Sequence, residues 1–153
     1  MRKRSQGLTG LRGAYCLIIS VPSDIRLKIG ALGIKTLPKS TYIYVGSALN
    51  SLEARIKRYV KTNLGFSTKI HWHIDYLLRN SEARLREVWY KETDKREECL
   101  IAEAISTHGS PVKGFGCTDC HCVSHLFKVE ETTFLKALGL RSWKEKLYDS
   151  ASP

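Results

Sequence analysis

The stretch that most limits how this chain can fold is GAYCLIIS, beginning at Gly13. It is short, apolar and carries adjacent β-branched residues, which is the pattern of a strand buried inside a sheet. IRLKIG, beginning at Ile25, alternates like a half-exposed strand, and TYIYVG, beginning at Thr41, reads as a third. Pro22, Gly33 and Pro38 punctuate the connections. Three strands joined by such short links predict a small antiparallel sheet.

The period then changes. From Asn50 to Lys61 the apolar residues Leu52, Ile56 and Val60 recur every fourth position, with Asn50 or Ser51 as N-cap and Glu53 early, the pattern of an amphipathic helix. HWHIDYLLRN continues as a second helix, ARLREVWYKE alternates as a strand, and KREECLIAEAISTHG forms a third helix that Gly109 and Pro111 end. SHLFKVE reads as a last strand, and ETTFLKALGLRSWKEKLY as one or two helices running into a polar tail. The order βββααβαβα within 153 residues predicts one α+β domain. Its expected divisions are a basic N-terminal arm over residues 1–10, the main domain over 11–130 and a C-terminal helical extension over 131–153.

Charge narrows the partners. Lysine and arginine total 25 against 15 carboxylates, a formal net charge of +10 that draws polyanions such as nucleic acid or anionic lipid. The longest apolar stretch, Tyr15 to Val21, is far too short to cross a bilayer, so no membrane partner is expected. MRKRSQGLTG has basic residues without a long apolar segment behind them, unlike a secretory signal. Five cysteines is an odd number, and three of them crowd into CTDCHC, a spacing poor for structural disulfides. A reducing, cytoplasmic location is the expectation.

The tripeptides GAY (Gly13 to Tyr15) and YVG (Tyr44 to Gly46) fall at corresponding ends of two strands, and the helix after Gly46 carries Arg55 and Tyr59. This layout resembles the GIY-YIG nuclease family, with Ala14 and Val45 in place of two isoleucines. The resemblance implies a three-stranded antiparallel sheet of GIY-YIG type flanked by helices, here with an added C-terminal strand and helix. It also implies a phosphodiester-cleaving site served by one magnesium or manganese ion. On that resemblance Tyr44 is the general base, directly or through water, and Tyr15 positions water or phosphate. Arg55 grips the scissile phosphate, Tyr59 shares its helix face, and a glutamate of the third helix holds the metal.

The residue chemistry agrees. Cleaving a phosphodiester needs a nucleophilic water and stabilisation of charge on the phosphate and leaving oxygens, which a phenol, a guanidinium and a metal-held carboxylate supply. Arginine forks onto phosphate with two parallel hydrogen bonds, a geometry lysine cannot copy. For Tyr44 to act as a base its phenol must be lowered from an ordinary pKa of about 10 by nearby cations and metal. Taken singly, each of these residues also reads as a packed strand tyrosine or a solvated helix arginine. Glu98 and Glu103 lie roughly 140° apart on one helix, so only one can face the site. Comparison with the better-known repair nucleases favours Glu103, and the closer relatives favour Glu98.

Those closer relatives share HWHIDYLL, the pair Glu98–Cys99 and GFGCTDCHCVSHLF. These stretches resemble the signature of a poorly characterised branch of GIY-YIG-like proteins, domain of unknown function 123, which is sometimes fused to DNA glycosylase-type repair enzymes. The likeness covers roughly Gly13 to Phe127 and implies a DNA repair context. Within HWHIDYLL, one of His71 and His73 reaches the site, with Asp75 orienting His71 if it is that one; His73 is the candidate carried forward. The alternative packs Trp72 and Tyr76 in the core with the histidines at the surface.

Lys57, Arg58, Lys61 and Lys69 are the candidate nucleic-acid contacts, with DNA the expected partner and RNA the alternative. Cys117, Cys120, Cys122 and His125 have the ligand types for zinc, but crowd into one short segment where known sites join two separated pairs. Packed thiols in a tight turn before the last strand are therefore expected ahead of zinc. The functional expectation is a metal-dependent DNA endonuclease in repair. Its alternatives are a nucleic-acid-binding module without turnover and a zinc or thiol protein built on the cysteine cluster.

Overall fold

A computed structural model describes residues 10–67, 69–117 and 120–143. Along the chain run β1 (Gly13–Val21), β2 (Ile25–Lys28), β3 (Ile34–Leu37), β4 (Ser40–Ala48), α1 (Leu52–Asn63), α2 (His73–Leu78), β5 (Arg84–Glu92), α3 (Glu98–Ile105), β6 (Gly109–Pro111), β7 (Leu126–Val129) and β8 (Arg141–Ser142). Six strands form one antiparallel sheet in the order β6-β7-β4-β1-β5-β8, and β2 pairs with β3 in a separate hairpin. The chain is an α+β domain, as its sequence predicts.

β1 is central because both its faces and both its edges are used. Tyr15, Leu17 and Ile19 point into one core with Tyr42 and Tyr44 of β4, Leu52, Ile56, Tyr59 and Val60 of α1, and Ile74, Leu77 and Leu78 of α2. Ala14, Cys16 and Ile18 point the other way, against Ile43, Val45, Ile101 and Ile105. A strand sandwiched between layers has no face left for polar residues, which is why GAYCLII lacks alternation. Each Leu or Ile so buried contributes about 1.5–3 kcal/mol.

α1 starts where its sequence signals it, with Ser51 Oγ accepting from the Ala54 N–H at 3.1 Å. Near its other end the Asn63 amide donates to the carbonyls of Leu78 and Ala83 at 2.8 and 2.9 Å, and its oxygen accepts from Leu85 N–H at 2.9 Å. One side chain thereby ties α1, α2 and β5 together.

Three elements depart from the sequence reading. IRLK does not join the sheet; it buries Ile25 and Leu27 and pairs with β3, whose exposed Ile34 and mostly polar face hid it. The sheet has six strands, where a three-stranded sheet with an added C-terminal strand was expected. α3 ends at Ile105, and Gly109 and Pro111 lie in β6 against β7. ETTFLKAL forms only a 3-10 helix over Thr133–Leu138, which Gly139 stops in the left-handed region before β8 joins β5. The basic arm expected over residues 1–10 falls, except for Gly10, outside the described residues, as does the extension beyond residue 143.

β1 and β4 pair over nine residues, placing Tyr15 opposite Gly46. A Cβ at Gly46 would sit 2.4 Å from the Tyr15 hydroxyl oxygen, and one at Gly13 would sit 2.0 Å from the Lys91 carbonyl oxygen. Both motif glycines are thus demanded by close approach. Gly46→Ala must push the Tyr15 ring off its seat and is expected to cost about 1–3 kcal/mol, the range of overpacked cores. Urea unfolding measures it; an unchanged midpoint would show that the ring does not lie over Gly46.

Candidate functional site

Two clusters form at the end of the sheet where β1 begins and β4 ends. In the first, Tyr15 of β1 and Tyr59 of α1 share a hydrogen bond of 2.5 Å between their hydroxyls. Arg55, one turn before Tyr59, donates from Nη1 to the Tyr15 oxygen at 3.4 Å and to the Ser47 carbonyl at 3.2 Å. The Tyr44 ring lies 6.4 Å from that of Tyr15. On the opposite face of the sheet Glu98, the first residue of α3, accepts a hydrogen bond from the Ser47 hydroxyl. Ser47 therefore joins Arg55 through its backbone and Glu98 through its side chain.

Burial pushes the phenols of Tyr15 and Tyr44 well above their ordinary value and raises Tyr59 as well. Arg55 pulls each downward, but less than desolvation raises it. Arg55 alone therefore does not bring Tyr44 below its ordinary value, which action as a general base requires. In the protein alone the three are neutral phenols, able to orient neighbours but not to act as phenolates. Burial opposes charge on Arg55 too, yet the tyrosine oxygens around it outweigh that and favour the cation.

The Arg55 guanidinium also lies 4.6 Å from the centroid of the Trp72 ring, and that of Arg58 lies 4.8 Å from it. Trp72 is 42% exposed, so it does not pack in the core as one reading of HWHIDYLL has it. Asp75 is fully buried, pairs with Arg58 at 2.8 Å and accepts the backbone N–H groups of His71 and Trp72 at 2.7 and 2.9 Å. It holds the start of α2 and Arg58 by these bonds. Removing either member of such a buried pair costs about 3–5 kcal/mol, which makes Arg58 a scaffold residue as well as a surface cation. Lys57 pairs with Glu53 at 3.5 Å, while Lys61 and Lys69 are exposed.

His73 is half-buried, and its Nδ1 accepts the Gly116 N–H at 2.9 Å with its ring edge-on to Phe115. It ties α2 to the loop before β7. Glu103 is exposed and lines an open groove of about 920 Å³ together with Cys99, Cys120 and Cys122. Of the two glutamates, Glu98 is the one bonded to Ser47.

The second cluster borders that groove. Cys99, Cys120, Cys122 and His125 bring one ligand atom each to within 4.8 Å of one another, and this group can hold a metal ion. Cys99 Sγ and Cys120 Sγ lie 3.7 and 3.5 Å from His125 Nε2. Cys117, a candidate ligand in the zinc reading of the sequence, instead donates to the Phe115 carbonyl at 3.4 Å and stands outside the group. The fourth ligand comes from α3, which a reading confined to the short segment cannot supply. Burial pushes the Cys99 thiol up to about 12, with Cys122 and Cys120 adding to it; burial also raises Cys122, against a downward pull from its hydrogen bond with Cys99. Backbone bonds aim His125 inward: its N–H donates to Phe115, and its carbonyl accepts from Val45 in the middle of YVG.

Three residues that sequence reasoning passed over thus belong to the clusters. Cys99 stood in the quoted Glu98–Cys99 pair, Trp72 in HWHIDYLL, and Ser47 directly after YVG, so each had a signal in its neighbours. Among the described residues no helix is long and apolar enough to cross a membrane. A family model described as a domain of unknown function, DUF123, matches residues 14–146. No curated protein and no solved structure matches the chain.

His73 generates a pH prediction. Burial lowers its pKa below the ordinary 6.5, so the unfolded chain takes up a proton before the folded one as pH falls. Its contribution to stability is present above about pH 6.5 and is lost progressively below it. The melting temperature should fall less between pH 7.5 and 5.5 in His73→Asn, whose amide oxygen can accept the Gly116 N–H without titrating. Equal falls in the two proteins would remove His73 from the pH dependence.

Proposed function

Proceeding from a chain that belongs to the DUF123 family, whose description assigns no activity, we propose that it is an endonuclease of GIY-YIG type acting on DNA, in a repair context. The observation that carries this reading is the held guanidinium of Arg55. Tyr15 and the Ser47 carbonyl hold it from one side while its central carbon lies over the exposed Trp72 ring, on a chain with a net charge of +10. A fixed fork beside an exposed aromatic suits a phosphate with a base stacked next to it. The cation needs no reorganisation as charge builds on the phosphate oxygens.

Each residue then has a task. Arg55 contacts the scissile phosphate. Tyr15 and Tyr59, buried behind it, position it. Tyr44 orients the attacking water through its hydroxyl, since its raised pKa disfavours a phenolate. Lys61 and Lys69 are exposed cations for more distant phosphates.

A magnesium or manganese ion fits a single partly buried carboxylate, because such ions keep several waters and take further oxygens from substrate phosphate. Glu98, with its side chain 16% exposed, is the residue that would hold it, and the ion would supply charge neutralisation and a more acidic water. The neutral, buried tyrosines favour a second reading, a nucleic-acid-binding module without turnover.

A nicking assay on several DNA forms and on RNA, with magnesium or manganese, separates the readings. The wild-type protein should cut DNA, and Arg55→Ala should lower the rate about 100-fold or more at an unchanged fold, with Arg55→Lys failing to restore it. Binding without cutting would establish the second reading, and cutting of RNA alone would transfer the activity to that substrate. An Arg55→Ala protein that cuts at the wild-type rate would remove Arg55 from the mechanism.

A further inference from the structure

We propose that the chain binds one Zn²⁺ through Cys99 Sγ, Cys120 Sγ, Cys122 Sγ and His125 Nε2, in a closed structural site that pins the start of α3 to the loop entering β7. The site stands apart from the nuclease reading and is measured without it.

Distances carry the inference. Zinc bonds of about 2.3 Å to sulfur and 2.0–2.1 Å to nitrogen, arranged tetrahedrally, set ligand edges of about 3.8 Å between sulfurs and 3.6 Å between sulfur and nitrogen. Two of the three sulfur-to-nitrogen edges are 3.7 and 3.5 Å, and all four ligand atoms fall within 4.8 Å of one another. The arrangement is already close to the size of the ion's first coordination sphere.

Ligand type then selects the metal. Three thiols and an imidazole are soft donors that suit zinc and are poor partners for magnesium or manganese. Four protein ligands fill a tetrahedron and leave no open position, which marks a structural rather than a catalytic site. On binding, the thiols release their protons to solvent and no electron is transferred, so folding and metal affinity become linked.

The position in the fold gives the ion a purpose. Glu97, the N-cap of α3, makes no side-chain cap; its carboxylate bonds Lys91 at 2.8 Å and Thr93 at 3.0 Å instead. Cys99 is the second residue of that helix, next to Glu98, and His125 hydrogen-bonds through its backbone to Val45 in β4. Zinc would therefore close a bridge from α3 to β4 through the β7 loop. It would hold Glu98 beside Ser47.

Metal analysis of the full chain purified without chelator should give close to one zinc per chain. Cobalt exchanged into the site should show the intense visible bands of tetrahedral thiolate coordination, and X-ray absorption should count three sulfurs and one nitrogen. Cys99→Ser should lose the metal or bind it at least tenfold more weakly, while Cys117→Ser keeps it in full. Chelator treatment should lower the melting temperature of the wild-type protein. The spectra of the wild-type protein read the ligand set even if a variant fails to fold. A chain without zinc and without a cobalt spectrum, a disulfide among these cysteines in the purified protein, an octahedral oxygen shell, or a Cys117→Ser protein that alone loses the metal would overturn the site.

Discussion

The pairing of β1 with β4 in a single register is the constraint on which the rest of the molecule depends. It sets Tyr15 over Gly46, and the missing side chain at Gly46 is what lets the ring lie flat against the neighbouring strand. A shift of one residue would turn Tyr15, Leu17 and Ile19 into the α3 layer and bring Ala14, Cys16 and Ile18 under α1. Two dissimilar cores thus lock the register from both sides. With the register fixed, α1 docks so that Arg55 and Tyr59 meet Tyr15.

β4 then links two chemistries of opposite character. Ser47 receives Arg55 at its carbonyl and offers its hydroxyl to Glu98. Two residues earlier, Val45 donates its N–H to His125 and so sets the edge of the thiol cluster. One cluster holds a planar guanidinium fork of the kind that suits an oxyanion, and the other gathers thiols and an imidazole that can hold a metal. Both act through the order they impose on one strand end and on the first turn of α3.

The sequence exposed what is periodic or compact. β1, β4, β5 and α1 were legible because apolar runs and four-residue spacing report burial directly, and the tyrosine–arginine set was legible because its members lie on those elements. What escaped depended on partners distant in the chain. β3 is short and largely exposed, so only its pairing with β2 makes it a strand. Cys99 joins the thiol cluster only when α3 folds back beside the β7 loop, which no local spacing reveals. The raised pKa of Tyr44 was hidden for a related reason, since its burial beside Phe115 and Tyr15 is a tertiary fact that outweighs the charge of Arg55. Trp72 shows the reverse, an apolar residue kept at the surface by two arginines.

On the proposed reading Tyr15 acts through Arg55 without touching substrate, so the most direct measurement is steady-state DNA nicking by Tyr15→Phe. This variant keeps the ring over Gly46 and deletes the hydroxyl that bonds both the guanidinium and Tyr59. The predicted result is a kcat lower by about tenfold, the scale of one lost positioning hydrogen bond, with KM changed little and the melting temperature lowered by the loss of the buried bond to Tyr59. A Tyr15→Phe protein with wild-type kcat would contradict the claim that the buried tyrosines hold the catalytic fork.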